Sequence, residues 1–324
     1  MGNDLLSLTE EVLKGKEITR EEALKLYGEP LEELCQCADR IRRHFCSNQF
    51  DLCTIINGKS GRCSENCKFC AQSMHSRTGA AEYPLLPDEE ILEQARINHE
   101  QGVLRYSIVT SGKRLSDREV DAMCRVIRRI RQEVGISVCI SFGLLNEVQY
   151  KKLKEAGVSR VHNNLETSRR NFSNICTTHT FADKIQAIRA AQAAGLSVCS
   201  GGIMGLGETP DDRIDMALTL RQLGIESVPV NMLNPIPGTP FGDNEKLTNE
   251  DMRRIVAVYR FILPSASIRL AGGRGLLPDK GKGCFISGAN AAISGDMLTT
   301  AGITVRTDME LLNELGYEAG FGNE

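Results

Sequence analysis

The sequence predicts a closed (β/α)8 barrel with an N-terminal helical extension, and three observations carry that reading. Apolar runs recur at 52–56, 103–109, 136–142, 158–162, 196–199, 225–233, 268–271 and within 288–293. Between them lie amphipathic stretches at 88–101, 116–133, 146–156, 180–194, 210–223 and 249–263. Gly102, Gly135, Gly157, Gly195 and Gly224 follow five of these stretches, where a left-handed cap ends a helix. Strands alternating with helices imply parallel pairing through right-handed crossovers, and eight such units imply closure. The 324 residues suffice, since such barrels take about 250. An open doubly wound sheet would need fewer strands or an edge, and the repeat has no break.

The extension, residues 1–50, reads as helical. Thr19 and Glu22 match a capping box ahead of Ala23, Leu24 and Leu26, and 30–45 carries apolar residues at helical spacing. Cys35, Cys37 and Cys46 read there as small buried hydrophobes. The barrel with a C-terminal tail takes 51–324. Cys53, Cys139 and Cys199 fall in the first, third and fifth strands. Alternate strands feed one interior layer, so the three thiols either fill core or converge.

A hydrophobic content of 41%, a charged content of 25% and a net charge of -3 suit a globular enzyme. With no basic block, neither nucleic acid nor a membrane surface is an expected partner. The start, Met1-Gly-Asn-Asp-Leu-Leu6, lacks a leader pattern, and no apolar run reaches membrane-spanning length, so a cytoplasmic enzyme is expected. In a reducing compartment, twelve cysteines point to metal or cluster ligation rather than disulfides.

Directly after the first strand comes Cys63-Ser-Glu-Asn-Cys67-Lys-Phe69-Cys70, three cysteines in eight residues. One loop can wrap a small cluster with these thiolates, and three ligands for four irons leave one iron open to chelate an amine and a carboxylate. A structural zinc loop is the competing reading, but His75 does not complete a zinc pattern. The spacing C-x3-C-x-aromatic-C, with Phe69 at the aromatic position, resembles the radical S-adenosylmethionine (SAM) superfamily. The run Ser197-Val-Cys-Ser-Gly-Gly-Ile-Met-Gly-Leu-Gly-Glu208 resembles the V-C-S-G-G-I-x-G-L-G-E segment of biotin synthases. Val138-Cys139-Ile140, Asn163-Asn164-Leu165, Asn231-Met232-Leu233, Gly238-Thr239-Pro240, Ser267-Ile-Arg269-Leu270 and Gly288-Ala-Asn290 follow that family's blocks in order. The likeness spans about residues 20–300.

The resemblance implies a homodimeric barrel with a SAM-binding 4Fe-4S cluster at its mouth and an auxiliary iron-sulfur cluster deeper inside. It implies sulfur insertion into dethiobiotin, initiated by a 5'-deoxyadenosyl radical and fed by a reducing donor such as flavodoxin or ferredoxin. By the same likeness Cys63, Cys67 and Cys70 hold the first cluster, and Cys139, Cys199 and Arg269 match three ligands of the second. The fourth match fails, because the family's Arg-Phe-Cys is Arg105-Tyr106-Ser107 here. Cys53 is the expected replacement, and the auxiliary cluster is then either 2Fe-2S or a 4Fe type with an extra sulfide. Gly201, Gly202, Asn164 and Glu166 are expected around SAM; Asn163, Asn164 and Asn231 suit SAM or the urea ring, since amides donate and accept. His162 is read as packing. The loop 171–179 is expected either to close over substrate or to be an exposed connector. The rivals are methylornithine synthase-like and hydrogenase maturase-like radical SAM enzymes, and a noncatalytic iron-sulfur carrier.

Overall fold

The computed structural model of the chain describes residues 3–321; residues 1–2 and 322–324 of the predicted spans, with the start of the leader reading, lie outside the described residues. Three helices come first, α1 Asn3–Leu13, α2 Arg20–Leu26 and α3 Leu31–Cys46. The barrel then runs β1 Gln49–Lys59, α4 Asp88–Glu100, β2 Arg105–Thr110, α5 Asp117–Glu133, β3 Ser137–Ser141, α6 Glu147–Glu155 and β4 Val158–His162. It continues with α7 Phe172–Ile175, α8 Phe181–Ala193, β5 Ser197–Cys199, β6 Gly202–Met204, α9 Pro210–Gln222, β7 Ser227–Met232, α10 Asn249–Ile262 and β8 Ser267–Leu270. α11 Lys282–Phe285, β9 Ala291–Ser294, α12 Val305–Leu315 and β10 Glu318–Ala319 complete it.

All the pairings between these strands are parallel, and β1 pairs with β2 on one side and β9 on the other, which closes the ring. β5 and β6 form one stave, both pairing with β7. Ser200 N–H donates to the Ser227 carbonyl at 3.0 Å. The next rung would come from position 229, where proline has no N–H, so the stave breaks at Ser200 and Gly201. Capping boxes hold the N-termini of α2, α5, α6, α8, α9 and α10. The predicted Thr19–Glu22 box is among them.

The structure departs from the sequence reading in the short elements α7, β6 and α11, which that reading left unassigned, and at the two ends of the barrel. β1 is longer than 52–56, because β10 pairs with Gln49 and Phe50 at its start and β2 reaches Lys59 at its end. The region beyond β9 holds a helix and a strand where only a tail is predicted. Outside the barrel, α3 packs along α10, α1 on α3, and α2 on α9. Among the described residues no helix is long and apolar enough to cross a membrane.

A Cβ at Gly201 would overlap the backbone carbonyl of Pro229. Gly201→Ala is therefore expected to destabilise the chain by about 2–3 kcal/mol, the cost of overpacking against backbone that cannot swing away. Guanidinium unfolding midpoints of the two chains check this.

Candidate active site

The cluster loop starts where β1 ends. Ser60 and Tyr83 exchange backbone hydrogen bonds at 3.1 Å, and Gly61 and Arg62, with φ of 74° and 48°, turn the chain back. Cys63 N–H donates to the Gln72 carbonyl at 3.1 Å, Met74 N–H to the Cys63 carbonyl at 2.9 Å, and Cys70 N–H to the Cys67 carbonyl at 3.0 Å. These bonds fold 63–74 into a bowl whose three thiols are half-buried. Phe69 and Cys70 line the barrel cavity. The three sulfurs are not gathered to within the reach of a single ion. A four-iron cube holds its thiolates further apart than one ion does, so the wider spacing suits a cluster.

The connector between β4 and α8 docks on this bowl. Lys68 N–H donates to the Ile175 carbonyl at 2.9 Å, and Asn66 Oδ1 accepts from the backbone N–H groups of Thr177 at 2.9 Å and Thr178 at 3.3 Å. Cys176 Sγ lies 3.8 Å from Cys67 Sγ and 3.3 Å from His179 Nδ1, and His179 Nδ1 lies 2.6 Å from Glu65 Oε2. The contact between the two thiols drives them apart: Cys67 is raised and keeps the proton, while Cys67 and then His179 hold Cys176 down to about 3 despite burial. Thr177 and Thr178 thus buttress the cluster loop.

The interior positions of the strands alternate, and at the floor they are charged. Asp51 of β1 faces three guanidiniums: Arg269 Nη2 at 2.8 Å, Arg105 Nε at 3.1 Å and Arg160 Nη1 at 3.4 Å. All four side chains are at most 5% exposed. Arg269 Nη1 also donates to the carbonyls of Asp51 and Ala292, both at 2.9 Å. Three guanidiniums thus gather on one carboxylate at the floor. Next along the strands, Cys53, Cys139 and Cys199 line one cavity of about 360 Å³, together with Ser107 and Arg269. Burial raises Cys53 and Cys139 above the ordinary thiol range. Burial also works against the Cys199 thiolate, but His162, its register partner on β4, with Arg269 and Arg160 brings that thiol down to about 6. Ser107 stands level with Cys139 in the ladder, and Cys53 level with Arg105, so Cys53 is one interior step deeper on the neighbouring strand.

The remaining predicted residues ring the upper cavity. Asn164 Oδ1 accepts from Gly201 N–H at 3.1 Å and its Nδ2 donates to Glu166 Oε2 at 3.3 Å. Asn231 Nδ2 donates to the Gly202 carbonyl at 3.0 Å and its Oδ1 accepts from Gly272 N–H at 2.8 Å. Both amides pin backbone. Glu166 sits at φ 71° and exchanges bonds with the broken stave through Gly201 O at 3.1 Å and Ile203 N at 2.9 Å. A Cβ on Gly202 would lie 2.5 Å from Glu166 O, so both glycines of the pair are demanded by protein packing. Asn163 differs: Oδ1 accepts from Lys184 Nζ at 3.4 Å, whereas Nδ2, buried at the cavity wall on the side of the Tyr150 hydroxyl, makes no close hydrogen bond among the described residues. An unpaired buried donor facing a cavity suits a ligand acceptor.

Two family profiles divide the chain. One described as "Radical SAM superfamily" matches residues 57–220, and one described as "Biotin and Thiamin Synthesis associated domain" matches 229–318. The chain is 61% identical over 311 residues to the biotin synthase of Brachyspira hyodysenteriae, covering 96% of this chain and 93% of that protein. It is 61% identical over 312 residues to the biotin synthase of Akkermansia muciniphila, covering 96% and 97%. The chain belongs to the biotin synthase family. Among solved structures, methylornithine synthase (PylB) superposes with a TM-score of 0.84 at 20% identity, covering 97% of both chains. The FeFe-hydrogenase maturase HydG from Carboxydothermus hydrogenoformans follows at 0.82 and 17%, covering 98% of this chain and 79% of that one. The two rival enzymes thus share the barrel, which at such identity is a likeness of fold alone.

As a radical SAM family member the chain takes a 4Fe-4S cluster and SAM. The residues present fit both: three thiols on one bowl, and beside them a cavity with an unpaired amide donor. They also fit a second iron-sulfur cluster in this biotin synthase relative, since three thiols and Arg269 line one cavity. Several residues at the site escaped the sequence reading. Asp51, Arg105 and Arg160 were readable as charges at interior strand parity, two positions from Cys53, Ser107 and His162. Cys176 and His179 carried a C-x2-H spacing. Met297, Leu298, Thr299 and Thr300 roof the cavity from the loop after β9, and no sequence signal marked them.

Proposed function

We propose that this chain closes the thiophane ring of biotin by inserting sulfur between two unactivated carbons of dethiobiotin. When bound, SAM and the 4Fe-4S cluster supply a 5'-deoxyadenosyl radical for hydrogen abstraction, and the auxiliary cluster supplies the sulfur. Saturated C–H bonds have no acidic proton, so no general base here could replace that chemistry.

The protein's work is holding and excluding. Cys63, Cys67 and Cys70 hold the first cluster, and Cys53, Cys139 and Cys199, with Arg269, hold the second. Arg269 is locked by Asp51 and two backbone carbonyls, so its guanidinium is presented in one orientation. Asn163 Nδ2 donates to a carbonyl of the substrate's urea ring. Asn164, Glu166, Gly201 and Asn231 shape the SAM side, the amides by fixing backbone. Ile55, Val109, Ile203 and Ile236 line the cavity and keep water from the alkyl carbons. Three thiolates, with one iron left to another ligand, favour a 4Fe auxiliary cluster with an extra sulfide over 2Fe-2S. The extension 1–50 is a separate helical layer on the barrel 51–324; the working unit is a homodimer fed by a flavodoxin or ferredoxin.

The single observation that supports this reading is one cavity lined both by Cys70 of the bowl and by Cys53, Cys139 and Cys199 of the strands. Anaerobic incubation of reduced, reconstituted protein with SAM and dethiobiotin tests it. The expected products are 5'-deoxyadenosine and biotin; 5'-deoxyadenosine alone would point to another radical reaction, and neither product to a carrier. Asn163→Leu is expected to raise KM for dethiobiotin about three- to tenfold, the worth of one neutral hydrogen bond, with a smaller change in kcat.

A further inference from the structure

We propose that Cys67, Cys176 and His179 form a binding site for one thiophilic divalent cation such as Zn2+, filled when the 63–70 loop carries no cluster. Among the described residues these are the one group of three cysteine, histidine or acidic side chains whose ligand atoms all lie within 4.8 Å of one another. Two thiolates and an imidazole are the donor set that zinc-type ions prefer, and four-coordinate zinc completes its shell with a carboxylate or water. Glu65 falls outside that group, its Oε2 2.6 Å from His179 Nδ1 and 2.8 Å from Thr178 Oγ1, so water completes the shell.

The site is preorganised. Cys176 and His179 are 3% and 7% exposed. His179 is held edge-on against Phe172, with ring centroids 5.6 Å apart. Asn66 fixes the 177–178 backbone, and Ile175 anchors the loop through Lys68, so the two segments that supply the ligands are already docked. Cys67 belongs to both sites, so the single ion and the four-iron cluster exclude each other. The ion would keep Cys67 and Cys176 from pairing oxidatively until iron and sulfide displace it.

Cobalt reports the site, because thiolate-bound tetrahedral Co2+ absorbs strongly. Full-length chain, reduced and free of metal and cluster, is titrated anaerobically with Co2+ and then Zn2+. The wild type and the Cys63→Ala/Cys70→Ala variant are both expected to bind one equivalent that depends on Cys176. Cys176→Ala, Cys176→Ser and His179→Ala each weaken that equivalent at least about tenfold, with circular dichroism confirming that the chains fold. Reconstitution with iron and sulfide releases the bound Zn2+. Binding that is unchanged in both Cys176 variants, that is lost in Cys63→Ala/Cys70→Ala, or that persists beside a fully loaded cluster would overturn the proposal. A Cys67–Cys176 disulfide forming in place of the metal complex under these reducing conditions would do the same.

Discussion

Asp51→Ala is expected to lower the stability of the cluster-free chain by about 3–5 kcal/mol, because it removes a buried carboxylate that pairs with three buried guanidiniums. Arg105, Arg160 and Arg269 lie 2.8–3.4 Å from this one carboxylate, so its removal takes a charge-assisted contact from each of them. Arginine does not shed its proton at any accessible pH, so the lost pairing cannot be relieved by neutralisation. Asp51→Asn keeps an acceptor for the arginines and is expected to cost less than the alanine. Burial alone would raise Asp51, but Arg269, Arg105 and Arg160 outweigh it and hold the carboxyl below the usual range. A lowered folded-state value means the stabilisation is present above the unfolded pKa and is lost only as pH falls through the folded one. Guanidinium unfolding at pH 7 checks the magnitude. An alanine variant within 1 kcal/mol of wild type would mean that the three guanidiniums do not depend on Asp51.

The second large effect falls on chemistry. Cys53→Ala is expected to abolish biotin formation while leaving reductive SAM cleavage to 5'-deoxyadenosine, because the cysteine bowl follows the end of β1 and Cys53 lies deeper on that strand. Stability should fall little, since the side chain lost is small and its one polar contact is a 3.4 Å bond to the neighbouring Thr54 carbonyl. Adding Ser107→Cys in that background returns a third thiol to the same cavity, level with Cys139. Partial recovery of biotin formation is the expected result. Product analysis of the three chains by mass spectrometry separates this from a general loss of function, which would remove both products together.

The barrel was legible because closure follows from repetition: each apolar run and each glycine cap is a local signal, and eight of them leave one arrangement. The bowl was legible for the same reason, its thiols lying within eight residues. What stayed hidden depends on contacts between distant segments. β10 is two residues long and exists only because the start of β1 offers free backbone, and the 295–303 roof is tied by contacts such as Asn57 Nδ2 to the Leu298 carbonyl at 3.0 Å. The meeting of Cys67 with Cys176 needs the short helix α7 to dock on the bowl, which no periodicity announces. Gly201 shows a motif whose conformational need was readable but whose cause was not: the neighbour it must avoid is Pro229, across the stave.

Both cysteine groups facing one cavity is the claim on which the rest depends. Mössbauer spectra with iron and sulfide analysis of anaerobically reconstituted wild type and Cys53→Ala test it most directly. The account predicts two clusters in the wild type and the bowl's 4Fe-4S cluster alone in the variant. Two intact clusters in Cys53→Ala, or one cluster in the wild type with the thiols of Cys53, Cys139 and Cys199 unligated, would contradict it.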